Sequence, residues 1–370
     1  MKSLNLTGTL LFTGTLVGAG ILGLPYALSQ SGFIGGTIIF IGGTFFAYLS
    51  AMHIGTLVHM ENKEVSLYSI YRSYLGTNIG YLTLAGILFS SYGAMIAYPL
   101  AIGITLNSLL NIPFWLGAGM FIALITFLLS LNLGESNRFN ALVTIVLILL
   151  LIWVILKSIP AIELNNYLFF KPDQMLGALG IIVFAFAGHI VIPSVLYYTK
   201  TNFKQSLRIL NIGLFLVAAL YFFFFIIAIG VMGTEVTPVA TLGLGGRVSG
   251  TVALIGQVFA ILAILTSAFG IGISLKLTFR EMFKISDHLS LVLIIVPILL
   301  IDLYLSRIGG DAFIQVLNYA GGIGSALYVG IIPALIVQNL AKTYRFPLGR
   351  QGAVASLVFY SLVMIYTLFS

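Results

Sequence analysis

The stretch Gly14-Thr-Leu-Val-Gly-Ala-Gly-Ile-Leu-Gly-Leu-Pro25 decides how this chain is read. It is apolar enough to enter a bilayer, yet it carries four glycines and a proline within twelve residues. An interior glycine costs a helix roughly 1 kcal/mol and an interior proline about 3 kcal/mol, so one clean helix is not expected. In hydrocarbon an unpaired backbone group costs more still, and a broken helix persists only where protein or a cavity surrounds it. The pattern recurs in the second half. Gly20-Ile-Leu-Gly-Leu-Pro25 is echoed by Gly188-His-Ile-Val-Ile-Pro193, each a glycine followed five positions later by proline. Paired interruptions in corresponding spans of two halves point to the substrate site of a transporter; the plainer alternative is two unrelated kinks at packing contacts.

The composition fixes the surroundings. Of 370 residues, 60% are hydrophobic and 7% charged, against about 25% charge in soluble domains. With a mean hydropathy of +1.12, the chain reads as a polytopic membrane protein. The absence of cysteine excludes disulfides, thiolate metal sites and thiol catalysis. The net charge of +7 comes from basic residues scattered between apolar runs, a sign of topology rather than of nucleic-acid binding. Met1-Lys2-Ser3 followed by an apolar run resembles a signal peptide, but the glycine-rich break occupies the would-be cleavage region, so it is read as a retained first helix.

About 20 apolar residues cross a bilayer, and eleven stretches qualify: Leu4–Gln30, Phe33–His59, Thr77–Leu110, Pro113–Leu131, Phe139–Leu156, Met175–Tyr198, Ile209–Val231, Val248–Leu275, Leu289–Leu305, Ala312–Leu340 and Ala353–Phe369. This topology puts 13 Lys and Arg on one side, among them Lys2, Lys63, Arg138, Lys200 and Lys284, and 4 on the other: Lys157, Lys171, Arg247 and Arg307. By the positive-inside rule the N-terminus is cytoplasmic and the C-terminus extracellular, in the cell membrane. The first and sixth spans then face opposite ways. The expected fold is all-α: a single transmembrane domain over 1–370, with one repeat at 1–160, an inverted one at 172–342, and an extra peripheral helix at 353–369.

A broken helix offers N–H groups at one half-helix end and carbonyls at the other, which attract a carboxylate and an ammonium or cation respectively. A zwitterionic amino acid satisfies both. The stretch from Gly18 to Ala27, Gly-Ala-Gly-Ile-Leu-Gly-Leu-Pro-Tyr-Ala, resembles the first-helix motif of the amino acid/auxin permeases of the APC superfamily. That group includes sodium-coupled neutral amino acid transporters and, nearby, bacterial aromatic amino acid permeases. Phe184-Ala-Phe-Ala-Gly-His189 with Pro193 is similar to the sixth-helix signature, and Ser90-Ser91-Tyr92 to a third-helix motif of some members. The resemblance covers essentially all eleven spans. It implies a LeuT-type fold, in which helices one, two, six and seven move against a scaffold.

The expected substrate site draws on Gly18, Ala19, Gly20 and Ile21 of the first break and on Phe184, Phe186, Ala187, Gly188 and His189 of the sixth. Tyr92 is expected to offer its hydroxyl to a carboxylate. Ala263-Ile-Leu-Thr-Ser267 in span eight matches the Ala-x-x-Thr-Ser spacing of the sodium site in this fold. Mapped residue by residue, that site comprises the carbonyls of Gly14, Val17 and Ala263 with the hydroxyls of Thr266 and Ser267. Two hydroxyls and three carbonyls make an uncharged oxygen cage for a hard monovalent cation; the plain reading is back-bonding of both hydroxyls to their own helix. Where many sodium-coupled relatives carry Asn, this chain has Gly14. Proton coupling, the alternative, would need a titratable group. His189 is a candidate, but hydrogen bonding to loose carbonyls or lining the substrate is the preferred reading of it. Asp302 reads as an interfacial residue paired with Arg307. His53 and His59 carry no expectation. Asn318-Tyr-Ala-Gly-Gly-Ile-Gly324 reads as a close-packing or hinge segment.

The leading reading is therefore a secondary active transporter of neutral amino acids, small or aromatic, because no charge falls in the expected pocket. Its partners would be the amino acid, a coupling sodium ion or proton, and lipid, with no nucleic acid and no enzyme cofactor. A channel would want a polar stripe or charged ring, a receptor a sizeable cytoplasmic loop, and an intramembrane enzyme an acid pair or metal spacing; the sequence has none of these. Oligomeric state is not legible.

Overall fold

The structure, a computed structural model, describes residues 6–61, 65–131, 133–305 and 311–370, apart from the side chains of 133–139, 303, 305 and 311. Leu4, Lys2, Lys63 and Arg307, and the side chain of Arg138, lie outside the described residues. Each of the eleven predicted spans coincides with helix. Among the described residues, eight helical segments are long and apolar enough to cross a membrane, or nine with one bent pair counted as a span. That pair is α1 (Leu6–Leu16) and α2 (Ala19–Ser29), inclined at 52°. It is followed by α3 (Gly32–Glu61), α4 (Leu67–Leu110), α5 (Phe114–Ser130) and α6 (Leu133–Ser158).

The sixth span is built in pieces, α7 (Leu179–Ala185), a 3₁₀ turn over Gly188–Val191, and α8 (Ile192–Thr199). Then come α9 (Phe203–Met232), a short α10 (Ala240–Val248) that the sequence reading lacked, α11 (Gly250–Phe283) and α12 (Asp287–Leu305). The tenth span comprises α13 (Asp311–Tyr319), a π-helical stretch over Ala320–Ile331, and α14 (Ile332–Leu340), and α15 (Gly349–Phe369) closes the chain.

The two prolines of the echoed motif play different parts. Pro25 lies inside α2 without ending it; the first span breaks upstream, at Val17 and Gly18. Pro193 sits in the first turn of α8, where a missing N–H costs nothing. Gly76 (φ 82°) kinks α4, a left-handed value that favours glycine. It divides a short leading segment from the third span, which the sequence reading began at Thr77.

The eleventh helix packs one face on the bundle and leaves the other, with Val354, Val358, Leu362 and Ile365, exposed. Gly330 lies so close to Tyr360 that a Cβ there would fall 1.9 Å from the Tyr360 ring, and Tyr360 and Val363 are buried. Phe359 stacks on Phe46 of α3 at 4.1 Å. Small residues along the π stretch let α15 approach, as the hinge reading of Asn318–Gly324 anticipated for close packing.

Glu281, near the end of α11, holds the start of α4. Its carboxylate accepts from Ser66 N at 3.0 Å and from the hydroxyls of Ser66 and Ser69. A negative charge is favourable at a helix N-terminus, and hydrogen bonds to a charged group are the stronger kind. Glu281→Ala is expected to cost about 1–3 kcal/mol, read as a lower midpoint of thermal unfolding in detergent. Glu281→Gln should recover part of that loss. An unchanged midpoint in Glu281→Ala would show that this tether contributes nothing.

Candidate functional site

The two breaks meet. A Cβ on Gly20 would lie 2.6 Å from Ala185 Cα, and one on Gly188 would lie 2.9 Å from the Leu16 side chain. The echoed glycines are thus the points where each interrupted span touches the other, and no larger residue permits that approach. At the first break Gly18 N–H donates to Leu16 O at 2.9 Å rather than one turn back to Gly14. The helix resumes at Ala19, with Ile21 N–H bonded to Gly18 O at 3.2 Å. The Ala19 and Gly20 N–H groups head α2 where a helix lacks its own acceptors.

The carbonyls released by the breaks are met by side-chain hydroxyls from neighbouring spans. Tyr221 on α9 donates between two of them, Leu16 O at 2.6 Å and Ala185 O at 3.1 Å, and so pins both breaks with one phenol. Tyr328, in the π stretch, donates to Ala187 O at 2.8 Å. Ser267 on α11 donates to Thr15 O at 2.8 Å, and Tyr98 on α4 lies 2.8 Å from Ser267 Oγ. All four side chains are buried. This is how a membrane-depth break is made tolerable: these carbonyls are paired with hydroxyls from the protein.

Between these groups lies a cleft of about 20 Å³, bordered by Thr15, Leu16, Gly18, Gly20, Ser90, Ser91, Ala94, Tyr98, Phe184, Ala185, Ala187, Gly188, Ile190, Ser267, Ile271 and Tyr328. A larger opening of about 530 Å³ runs from Thr15 toward the Lys200 end of the molecule, between α1, α6, α8 and α11. Thr15 borders both spaces. The space is therefore contracted at the breaks and wide toward the Lys200 end.

Of the residues expected to hold a substrate, Gly18, Gly20, Phe184, Ala187 and Gly188 border the cleft. The others do not. Ala19 and Ile21 are fully buried but outside the lining. Phe186 packs outward against Phe40 and Tyr221, at ring distances of 6.1 and 5.3 Å. His189 turns to the second span, its Nε2 3.1 Å from Ala47 O, so it braces the sixth break against α3. Tyr92 is corrected as well: its hydroxyl donates to Leu293 O of α12 at 2.6 Å, away from the breaks. The tyrosine of α4 that turns to the first break is Tyr98, whose hydroxyl would lie 3.2 Å from a Cβ on Gly18; it is six residues on and therefore about 120° around the helix. The signal was present: Ser91, Ala94 and Tyr98 follow the 3-and-4 spacing of one helical face. Tyr221 and Tyr328 had no local signal, because nothing in their own segments announces a partner on another span.

For the expected cation site, the structure brings Ser267 to the first break, but onto Thr15 O rather than onto Gly14 or Val17. Thr266 Oγ1 donates within its own helix, to Leu262 O at 3.2 Å and Ala263 O at 3.1 Å. Gly14 faces the fifth span, where a Cβ would meet Thr144 Oγ1. Asp302 is buried, and its expected partner Arg307 is outside the described residues. His53 Nε2 lies 3.1 Å from Pro347 O and His59 packs on Phe203, both structural placements.

The Gly20 contact can be tested directly. Gly20→Ala is expected to reduce transport to below about a tenth, because the new methyl would overlap Ala185 backbone and overpacked sites must shift. Gly23→Ala should be tolerated, since its nearest neighbours are side-chain ends of Leu317 and Ile314 at 3.1 and 3.2 Å. Both are measured as uptake per unit of protein in the membrane; full activity in Gly20→Ala would mean the breaks do not touch as described.

The tryptophan/tyrosine permease family profile matches residues 1–367 of the chain. Tyrosine-specific transport system 1 of Haemophilus influenzae is 23% identical over 359 residues, which is 91% of this chain and 88% of that protein. Among solved structures, MhsT in complex with L-phenylalanine superposes with a TM-score of 0.71 at 15% identity, over 99% of this chain and 98% of that one. A mutant of the manganese transporter of Eremococcus coleocola gives 0.70 at 15% identity, over 98% and 86%. These similarities place the chain in the LeuT-type fold with discontinuous first and sixth spans. The first-helix motif pointed to the amino acid/auxin permeases because a Gly-x-Gly break reports the fold more than the family; it is to the tryptophan/tyrosine permease family that the chain belongs.

Proposed function

We propose that the protein is a secondary active transporter of aromatic L-amino acids that works by alternating access and is coupled to sodium. One observation carries the reading: residues of both breaks, Leu16, Gly18 and Gly20 of the first and Ala185, Ala187 and Gly188 of the sixth, border one cleft, and such paired breaks supply donors to a carboxylate and acceptors to an ammonium group. The tyrosine-specific relative and the L-phenylalanine complex support an aromatic side chain. The cleft itself supports a neutral one, since no charged residue borders it. A multivalent metal cargo is disfavoured: among the described residues no three His, Asp or Glu side chains converge to hold one.

Alternating access is supported by the asymmetry of the two spaces, a contracted cleft and an opening at one end. In this reading 1–160 and 172–342 are inverted repeats of a single domain, and 353–369 is an added helix braced on the second repeat. Sodium is favoured because Ser267 already joins α11 to the first break, and Thr266 retains lone pairs while donating to its own helix. Gly14, Val17 and Ala263 would add carbonyls when α1 closes on α11. Proton coupling through His189 is the weaker reading, since its ring is engaged with Ala47 O, outside the cleft.

Proteoliposomes given a labelled amino-acid panel, with sodium and proton gradients imposed separately, test both points. Tyrosine or tryptophan uptake should rise at least about fivefold with inward sodium, and Thr266→Ala with Ser267→Ala should remove that rise. Uptake driven by a proton gradient alone would replace sodium with the proton reading. Orientation is checked by single cysteines, for which this cysteine-free chain gives no background. An impermeant thiol reagent should label Lys171→Cys on intact cells but Lys284→Cys only after permeabilisation; the reverse pattern would invert the topology.

A further inference from the structure

One end of the cleft carries hydroxyls that the proposed grip on the amino and carboxyl groups does not use. Ser90 on α4 and Ser325 in the π stretch are both buried, with their oxygens 2.6 Å apart. Ser325 also donates to Ala320 O at 3.2 Å, five residues back in the π ladder. A carbonyl can only accept. Both bonds therefore form together only if Ser325 gives its proton to Ala320 and Ser90 gives its proton to Ser325. Nearby, Tyr328 has committed its proton to Ala187 O.

These three hydroxyl protons are thus engaged within the protein, and Ser90, which borders the cleft, keeps a lone pair that its bond to Ser325 does not use. The same cleft is lined by the apolar Ala94, Ile190 and Ile271. An acceptor facing apolar walls is costly to leave unpaired. It is a receptor for a ring that carries a donor.

We propose that Ser90, held as an acceptor by Ser325, is the specificity-determining residue that receives a hydrogen bond from the substrate's ring, so that tyrosine and tryptophan are selected over phenylalanine. This rests on the aromatic-substrate reading above. A phenol O–H or an indole N–H fits the open lone pair, whereas a phenyl ring would desolvate it and return nothing. Sites built to hydrogen-bond a substrate group reject the analogue lacking it far more strongly than apolar pockets reject a size change. Ser90 carries the role rather than Tyr328 because of what each is tied to. At about 20 Å³ the cleft is smaller than a ring, so entry requires the broken spans to part from α4. That movement changes the Tyr328 bond to Ala187 in the sixth span; the Ser90–Ser325 pair involves neither broken span and stays intact.

The test uses the full chain in proteoliposomes, with labelled tyrosine and unlabelled tryptophan, phenylalanine and 4-methoxyphenylalanine as competitors. The last keeps the ring oxygen and loses the donor. Phenylalanine and the methoxy compound should compete at least about tenfold more weakly than tryptophan. Ser90→Ala should bring the tyrosine-to-phenylalanine ratio of kcat/KM to within about threefold of unity, and Ser90→Thr, which keeps the hydroxyl, should restore selectivity. An inserted Ser90→Ala protein with unchanged selectivity overturns the proposal. If that variant does not insert, the competitor series on the unmodified protein decides, with equal competition by all the rings as the overturning result. Failure to take up any aromatic amino acid would instead overturn the transport reading, and this inference with it.

Discussion

The structure depends on one constraint: backbone groups freed at two breaks deep in an apolar molecule must find partners inside the protein. Hydrocarbon cannot satisfy them, and each orphan would cost several kcal/mol. The chain meets the constraint with buried tyrosine and serine hydroxyls brought from other spans. Tyr221 serves Leu16 and Ala185 together, Tyr328 serves Ala187, and Ser267 serves Thr15. A hydroxyl suits this work because it is neutral, so its own burial is cheap once bonded. The same hydroxyls set the distance between spans, since a hydrogen bond fixes donor and acceptor within a few tenths of an ångström.

Glycine makes that distance attainable. The close approach of Gly20 to Ala185 and of Gly188 to Leu16 brings the breaks to one level, and the carbonyls then fall within reach of a single phenol. The scaffold around them is held by the same device. Along the π stretch, Gly324 lies on the backbone of Ser90 and Gly86 in α4, and Gly330 on the ring of Tyr360 in α15. The π ladder is rare and tends to occur at functional sites; here it turns Ser325 and Tyr328 toward α4 and the sixth span.

How much of this the sequence disclosed follows from the range of each signal. The first break and its echo in the sixth span were legible because glycine and proline act on their own segment. The Ala263–Ser267 spacing was legible for the same reason, although the carbonyl that Ser267 meets, Thr15, is decided by how two helices lie together. Tyr92 and Tyr98 differ in the face they occupy. The 3-and-4 spacing from Ser91 through Ala94 to Tyr98 separated them, whereas the resemblance of Ser90-Ser91-Tyr92 to a motif pointed at the wrong tyrosine. His189 and Phe186 belong to a break whose local path is neither helix nor extended, so periodicity could not say which way their side chains turn. The packing of α15 was hidden for a different reason: a membrane helix is apolar on both its lipid and its protein faces.

The hydroxyl bonds fall into two classes, and the difference bears on mechanism. Tyr221 joins the first, sixth and seventh spans, and His189 joins the sixth to the second, so these four are bonded among themselves. Ser267 and Tyr328 reach the breaks from the eighth and tenth spans instead. Under the proposed alternating access the first group would move as a body, and only the second kind of bond would have to yield. A neutral hydroxyl bond contributes about 1 kcal/mol net, while a bond from an ammonium group is roughly twice as strong. In the proposed function, an amino acid that offered its ammonium to Thr15 or Ala187 would therefore compete well with the hydroxyls already there. A ligand shifts a conformational equilibrium only by its differential affinity for the two states. Exchange of hydroxyl for ammonium at these carbonyls would supply such a difference at the seam between the two groups, while Tyr221 would keep the paired breaks together.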